Sequence, residues 1–349
     1  MTTILGFIKD PHLGYGFKNR IRVDYNGDYD KKLEFIKKYS KDNQIKSIIA
    51  TGDVFDNSYL QDWGHSHYIA NTAKIEELTE DLDLYSIDGN HDQFSGSPEF
   101  TWIDKNGNIK RTVYGDIVKR GLIKHIDYRT PVELGNCIIF GISYMNNKDD
   151  VIEALKFISE YQTDLFKVTV MHQNCTPNSV KNITDFTYSE LCKYEINCFV
   201  LGHYHIGYPT MELEGSLFIN PWNLFRVARD YEVKMDNHIP EMVVLKVNDD
   251  KSYEFEHVVI PHKSFEEAFV KDFREILSQK AKIEDGQSFI KIVDLDKMRI
   301  DLSDTEIIDK VYELNGALNI KHKDIAQRLL LGEKYHELLD QTVLEEDDE

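Results

Sequence analysis

Five short polar clusters follow one another in fixed order along this chain, each preceded by a short apolar run. They are Asp10-Pro11-His12, Gly52-Asp53-Val54-Phe55-Asp56, Gly89-Asn90-His91-Asp92, Met171-His172 and Gly202-His203-Tyr204-His205. Apolar runs of strand length alternating with helix-length segments specify an α/β sheet. Loops at the C-terminal ends of such strands gather at one edge, where open α/β sheets bind ligands. The strand-like runs fall at 3–8, 46–51, 84–87, 137–142, 167–171 and 198–201. Between the first two, Leu33, Ile36 and Tyr39 recur at helical spacing. A second helix is expected near 66–80, with Ile69, Ala73 and Leu78 inward, and a third near 149–162, carrying Val151, Ile152, Leu155 and Ile158. Short runs with turn signals over 207–260 predict antiparallel strands completing a second sheet. From about Ser264 the pattern turns largely helical, at 264–282, 303–314 and 321–340, with one strand at 288–293. The domains are therefore expected at 1–262 (catalytic), 263–344 (a smaller, mainly helical C-terminal region) and 345–349 (an acidic tail).

The clusters hold the side chains that divalent cations need. A carboxylate and an imidazole at Asp10 and His12, spaced i, i+2 on an extended segment, are expected to point the same way. The Asp53 carboxylate can touch two cations about 3.5–4 Å apart, which an imidazole cannot do. The Asn90 amide oxygen suits a hard cation. His91, the next residue, projects differently and can donate a proton to a leaving alkoxide. His203 and His205 repeat the i, i+2 spacing and are again expected to point one way. His65-Ser66-His67 has the same spacing but leads into a helix, where such side chains diverge, so both are read as ordinary surface residues.

Composition limits the alternatives. With 349 residues, 41% of them hydrophobic, the chain can build one large α/β domain and a smaller appendage. No stretch approaches the roughly 18–20 continuous apolar residues of a membrane span. The first residues lack a basic n-region and read as a buried strand, so the expected location is cytoplasmic. The four cysteines match no metal-binding spacing and read as buried free thiols. The formal net charge of −20 opposes non-specific nucleic-acid binding. The stretch from Ser264 onward contributes 12 basic and 22 acidic residues to that balance.

Taken together, the clusters resemble the calcineurin-like metallophosphoesterases, whose pattern runs Asp-x-His, Gly-Asp-x-x-(Asp/Asn/His), Gly-Asn-His-(Asp/Glu), His, Gly-His-x-His. The resemblance implies an α/β fold: a two-layer sandwich of mixed sheets flanked by helices. It implies two divalent cations, with Mn²⁺ first and Fe or Zn²⁺ as alternatives. Asp10, His12 and His205 would hold one, Asn90, His172 and His203 the other, and Asp53 would bridge them. His91 would act on the leaving group, with Asp92 nearby. Within the family the chain is most similar to SbcD-type DNA repair exonuclease subunits, including compact phage relatives. The Gly52-Asp53-Val54-Phe55-Asp56 box and the segment Ile219-Asn220-Pro221-Trp222-Asn223-Leu224-Phe225-Arg226 carry that similarity. Trp222-Asn223 stands where those nucleases have Gly-Ser, and Asp56 where some have His. Asp56 and Arg226 are substrate-facing candidates. The implied partners are DNA, an SbcC-type ATPase docking on the C-terminal region, and a second copy in a homodimer, with no membrane. Two rival expectations are a phosphatase or nucleotide phosphodiesterase of the same superfamily, which the charge favours, and a catalytically dead scaffold.

Overall fold

The computed structural model describes residues 2–14, 25–58, 65–93, 101–103, 109–181, 183–225 and 238–264. The chain divides into two compact units, Met1–Tyr15 with Asn26–Lys263, and Gly16–Tyr25 with Ser264–Glu349. The expected C-terminal helices, the strand at 288–293 and the acidic tail lie outside the described residues. Sixteen strands and five helices are described.

The strands build two six-stranded mixed sheets. The first uses β1 (Thr3–Ile8), β2 (Ser47–Ala50), β3 (Asp83–Ser86), β6 (Lys124–His125), β15 (Glu241–Val247) and β16 (Tyr253–Val259), in the order β16-β15-β1-β2-β3-β6. β1 runs parallel to β2 and antiparallel to β15, placing Phe7 between Ile49 and Val243. The second uses β7 (Val132–Leu134), β8 (Cys137–Ile142), β9 (Phe166–Met171), β12 (Cys198–Leu201), β13 (Tyr208–Leu213) and β14 (Ser216–Asn220), in the order β13-β14-β12-β9-β8-β7. Two small ladders complete the set, β4 (Thr101–Ile103) with β5 (Ile109–Arg111), and β10 (Cys175–Thr176) with β11 (Phe186–Thr187).

Strand periodicity explains the layering. Successive side chains alternate faces. Leu5, Phe7 and Ile49 from the first sheet join Ile139, Val168, Val170, Val200 and Ile219 from the second in one buried cluster, the interior of the sandwich. The other parity of the second sheet, Phe140, Ile142, Phe199, Leu201 and Phe218, packs with Val151, Ala154, Leu155 and Ile158 of α4 (Lys148–Glu160). Both faces of β8, β9 and β12 are therefore covered, which is why these strands read as continuous apolar runs.

The remaining helices are α1 (Tyr25–Asp42), α2 (His65–Thr79), α3 (Val113–Lys119) and α5 (Tyr188–Leu191). In α1, Leu33 and Ile36 are buried, as the spacing predicts. In α2 the inward face differs from the sequence expectation. Ile69 and Ala73 are exposed, and Asn71, Thr72, Ile75 and Leu78 are buried. Helix geometry gives the reason: at 3.6 residues per turn, Ile69 and Leu78 stand about 180° apart, so they cannot share one face. The 207–260 region also departs from expectation. β14 runs parallel to β12, and β15 and β16 complete the first sheet rather than the second. The fully buried β14 occupies the interior position, while β13, with Pro209 and two exposed positions, takes the edge. No helix among the described residues is long and apolar enough to cross a membrane. Cys137, Cys175 and Cys198 are buried free thiols, and Cys192 is half-buried.

Candidate dinuclear metal site

Every cluster lies just past the C-terminal end of a strand: Asp10 and His12 after β1, Asp53 after β2, Asn90 and His91 after β3, His172 after β9, His203 and His205 after β12. The chain does not leave these strands in an extended form. Asp10 (φ 39°), His12 (φ 45°), Asp53 (φ 45°) and His203 (φ 75°) all adopt the left-handed region. The extended geometry expected for Asp10 and His12 is therefore replaced by a tight turn. Such backbone costs about 1–3 kcal/mol per residue and persists only where surrounding bonds enforce it. Here they do: the His12 amide donates to Asp53 O (2.8 Å), and the His203 amide to Asp10 Oδ2 (3.0 Å). Glycine is required twice. Gly52 has φ +97°, and a Cβ there would lie 2.7 Å from His172 Nδ1. A Cβ at Gly89 would lie 2.1 Å from Asp53 Oδ1. The loops approach so closely that any side chain at these positions would displace a donor.

The seven expected donors come together around Asp53. Ligand atoms of His12, Asp53 and His91 lie within 4.8 Å of one another, and so do those of Asp53, His172 and His203. Asp53 Oδ2 stands 3.7 Å from His12 Nε2 and 3.3 Å from His172 Nε2, so one carboxylate oxygen faces both groups. His205 Nε2 lies 3.0 Å from His12 Nε2 and 3.8 Å from Asp10 Oδ2, and Asn90 Oδ1 lies 3.3 Å from His172 Nε2. His203 and His205 do not point the same way as expected. The His203 ring packs on His172 (4.9 Å) and the His205 ring on His12 (4.9 Å). The left-handed turn at His203 separates them, sending one imidazole to each side of Asp53.

This donor set fits a pair of hard to borderline divalent cations. Imidazole nitrogens with lone pairs converge on carboxylate and amide oxygens, and no thiolate is present. The surrounding bonds fix the donors in orientation. His172 Nδ1–H donates to Thr51 O (2.7 Å), leaving Nε2 for the donor side. Thr51 Oγ1 also donates to Asp10 Oδ1 (2.8 Å). In the protein alone, burial opposes a charge on His172, but the Asp53 and Asp10 carboxylates hold its pKa up at about 9. Burial and the charged His172 together push His203 down to about 3. Despite burial, His172 and the neighbouring histidines hold the Asp53 carboxyl well below the usual carboxylate range.

The expected catalytic pair separates into two roles. The His91 amide donates to Asp53 Oδ1 (2.8 Å) and its Nδ1–H to Asp56 O (2.8 Å), which orients the ring beside the donors. Asp92 is fully buried, and its carboxylate accepts from the amides of Val54, Phe55 and Gly89 (3.0, 2.9 and 3.0 Å). It ties the 52–56 loop to the 89–92 loop. Asp56 lines the site: Oδ1 is 3.2 Å from His12 Nδ1 and 3.8 Å from His91 Nδ1. Arg226 lies outside the described residues. Three neighbours of the site escaped the sequence reading: Thr51, Lys9 and Tyr144. Lys9 carried a legible signal, a cation at the end of a buried strand directly before Asp10. It is fully buried, and its Nζ donates to Tyr204 O and Asn220 Oδ1, both at 2.6 Å.

The sequence profile of the calcineurin-like phosphoesterases matches residues 6–207, more than half of the chain, and the chain belongs to that family. It is accordingly a metal-dependent phosphoesterase of a family whose centre is dinuclear. No curated protein matches it. Among solved structures it is similar to TT1561 of Thermus thermophilus, at 10% identity over 74% of this chain and 99% of that one, with a TM-score of 0.39. It is also similar to the calcineurin-like phosphoesterase YfkN from Bacillus subtilis, at 12% identity over 75% of this chain and 93% of that one, with a TM-score of 0.39.

Proposed function

We propose that this chain is a Mn²⁺-dependent phosphodiesterase that cuts DNA in the manner of the SbcD-type nucleases its motifs resemble. The observation that carries the phosphoesterase part is the position of Asp53 at the shared corner of two donor groups. Asp10, His12, His205 and Asp53 would hold one cation, and Asn90, His172, His203 and Asp53 the other. Bound there, the two cations supply Lewis acidity toward a phosphoryl oxygen and a lowered water pKa. The protein's own part is orientation and proton transfer. Asp56 O fixes the His91 ring through Nδ1, so that a proton on Nε2 can pass to the departing oxygen. Asp92 holds the loop that presents His91, and the left-handed turns present Asp10, His12, Asp53 and His203 without rearrangement.

Support for a nucleic-acid substrate comes from the segment that resembles the nucleases. Lys9 bridges Tyr204 of the Gly-His-x-His loop to Asn220, and the Leu224 amide donates to Lys9 O (2.9 Å), so this segment is fastened beside the site. DNA repair or recombination is the corresponding setting, with an ATPase partner on the region after 263 and a homodimer as the proposed assemblies. The net charge of −20 favours the second reading, a phosphatase or nucleotide phosphodiesterase acting on small or protein substrates. Turnover of single-stranded DNA, double-stranded DNA, a cyclic nucleotide and a phosphomonoester with Mn²⁺, measured side by side, separates the two. The nuclease reading expects DNA to be cut and the activity to vanish on chelation. Turnover of the phosphomonoester alone would overturn it. His91→Asn should retain Mn²⁺ while losing about 10²–10⁴-fold in turnover, and a fully active variant would remove His91 from the reaction.

A further inference from the structure

Tyr144 follows β8 and belongs to neither buried cluster of the sandwich. Its backbone is nonetheless held on both sides. The Tyr144 amide donates to Asp88 O (3.0 Å), and its carbonyl accepts from Gln93 Nε2 (2.8 Å). Gln93 Nε2 also donates to Asp88 Oδ2 (2.6 Å), and Ser143 Oγ donates to Asp88 Oδ1. This buried network fastens Tyr144 to the same 88–93 loop that carries Asn90 and His91. The half-buried ring lies 5.1 Å from His203 and 6.3 Å from His172, centroid to centroid. Its hydroxyl has no hydrogen-bond partner among the described residues. A phenol is a neutral donor at physiological pH. A phenol on an anchored backbone, with no partner of its own and flanking a cation site, can recognise charge developing on a phosphoryl oxygen.

We infer that Tyr144 is a substrate-binding residue whose hydroxyl donates a hydrogen bond to a non-bridging phosphoryl oxygen of the ester held beside His172 and His203. This rests on the phosphoesterase reading of the site. The test is Tyr144→Phe, which keeps the ring and removes only the hydroxyl. Calorimetry measures Mn²⁺ affinity, then the affinity of the Mn²⁺-loaded protein for inorganic phosphate. Turnover of DNA and of a small phosphodiester is measured alongside. The expected result is unchanged Mn²⁺ affinity and melting temperature, with phosphate affinity and kcat/KM each falling about tenfold or more. Equal phosphate affinity in the variant and the wild type would overturn the assignment. So would a weakened Mn²⁺ affinity, since the hydroxyl would then act through the donor histidines. If the wild type cuts no DNA, the nuclease reading fails by itself, and the phosphate-binding comparison still decides the role of Tyr144.

Discussion

The interior of the sandwich and its donor edge both bury side chains, but of opposite character. The interior buries Phe7, Ile49, Ile139, Val168 and Val200 in one apolar cluster. The edge buries Lys9, Asp10, His12, Asp53, Asp92 and His172 to within 1% of full burial, and holds four of its residues in left-handed backbone. Apolar burial stabilises the fold at about 25 cal/mol per Å². Buried charge costs stability unless every charge is paired. The edge is thus a costly region carried by a favourable one, and substitutions should separate them. Asp53→Asn should have the largest effect. It should release both cations together and reduce turnover by at least about 10³-fold, the scale of losing several kcal/mol of Lewis-acid stabilisation. Metal stoichiometry measured with turnover tests this, and loss of one cation alone would break the bridging role of Asp53.

The converse substitution lies in the apolar layer between the second sheet and α4. Phe199 is fully buried and stacks on Phe218 at 5.2 Å. Phe199→Ala should cost about 3–5 kcal/mol of stability while leaving Mn²⁺ stoichiometry intact, as read by denaturant unfolding and metal analysis. Adding one methyl at the edge makes a sharper contrast. In Gly89→Ala the new carbon would meet Asp53 Oδ1 at 2.1 Å and Asp53 N at 2.4 Å, so the carboxylate must move. Mn²⁺ affinity should fall by about 10–100-fold. An unchanged affinity would mean that the donor edge yields as readily as a loop.

The same contrast explains what could be read from the sequence. The strands at 3–8, 137–142 and 198–201 were legible because a strand covered on both faces must be apolar throughout. The donors were legible because cation chemistry restricts residue type. Their directions were not, since i, i+2 spacing predicts parallel side chains only on extended backbone, and Asp10, His12 and His203 are left-handed. The place of β14 between β12 and β13 was also hidden, because strand order depends on which run is wholly buried. Lys9 was legible as a cation ending a buried strand, whereas the Thr51 carbonyl that holds His172 and the ring of Tyr144 beside His203 follow from placement that no spacing rule encodes. The inward face of α2 does not follow from combining Ile69 with Leu78, a pairing that the helical period itself forbids.

Two His–carboxylate pairs reduce the comparison to its smallest measurable effect. His172 Nε2 lies 3.3 Å from Asp53 Oδ2, both fully buried, and the His172 pKa stands at about 9 in the protein alone. Its folded value exceeds the unfolded value of about 6.5. Its stabilising contribution is therefore complete below about pH 6.5 and is lost as pH rises through about 9. Cations displace that proton, so Mn²⁺ affinity should rise with pH over the same interval. His257 Nδ1 lies 2.9 Å from Glu241 Oε2, but its side chain is 32% exposed. The hydrogen bond to Glu241 raises its pKa, against a smaller opposing effect of burial. The sign is the same: the contribution is present below about pH 6.5 and lost above it, and solvent screening limits it to less than about 1 kcal/mol. Glu241→Gln should flatten the stability difference between about pH 5.5 and about pH 8.5 by that small amount. Unfolding of the Mn²⁺-loaded protein, in which His172 no longer titrates, isolates the effect. An unaltered pH dependence in the variant would show that a partly exposed pair in this fold is electrostatically silent, leaving the buried edge as the part of the sandwich that responds to pH.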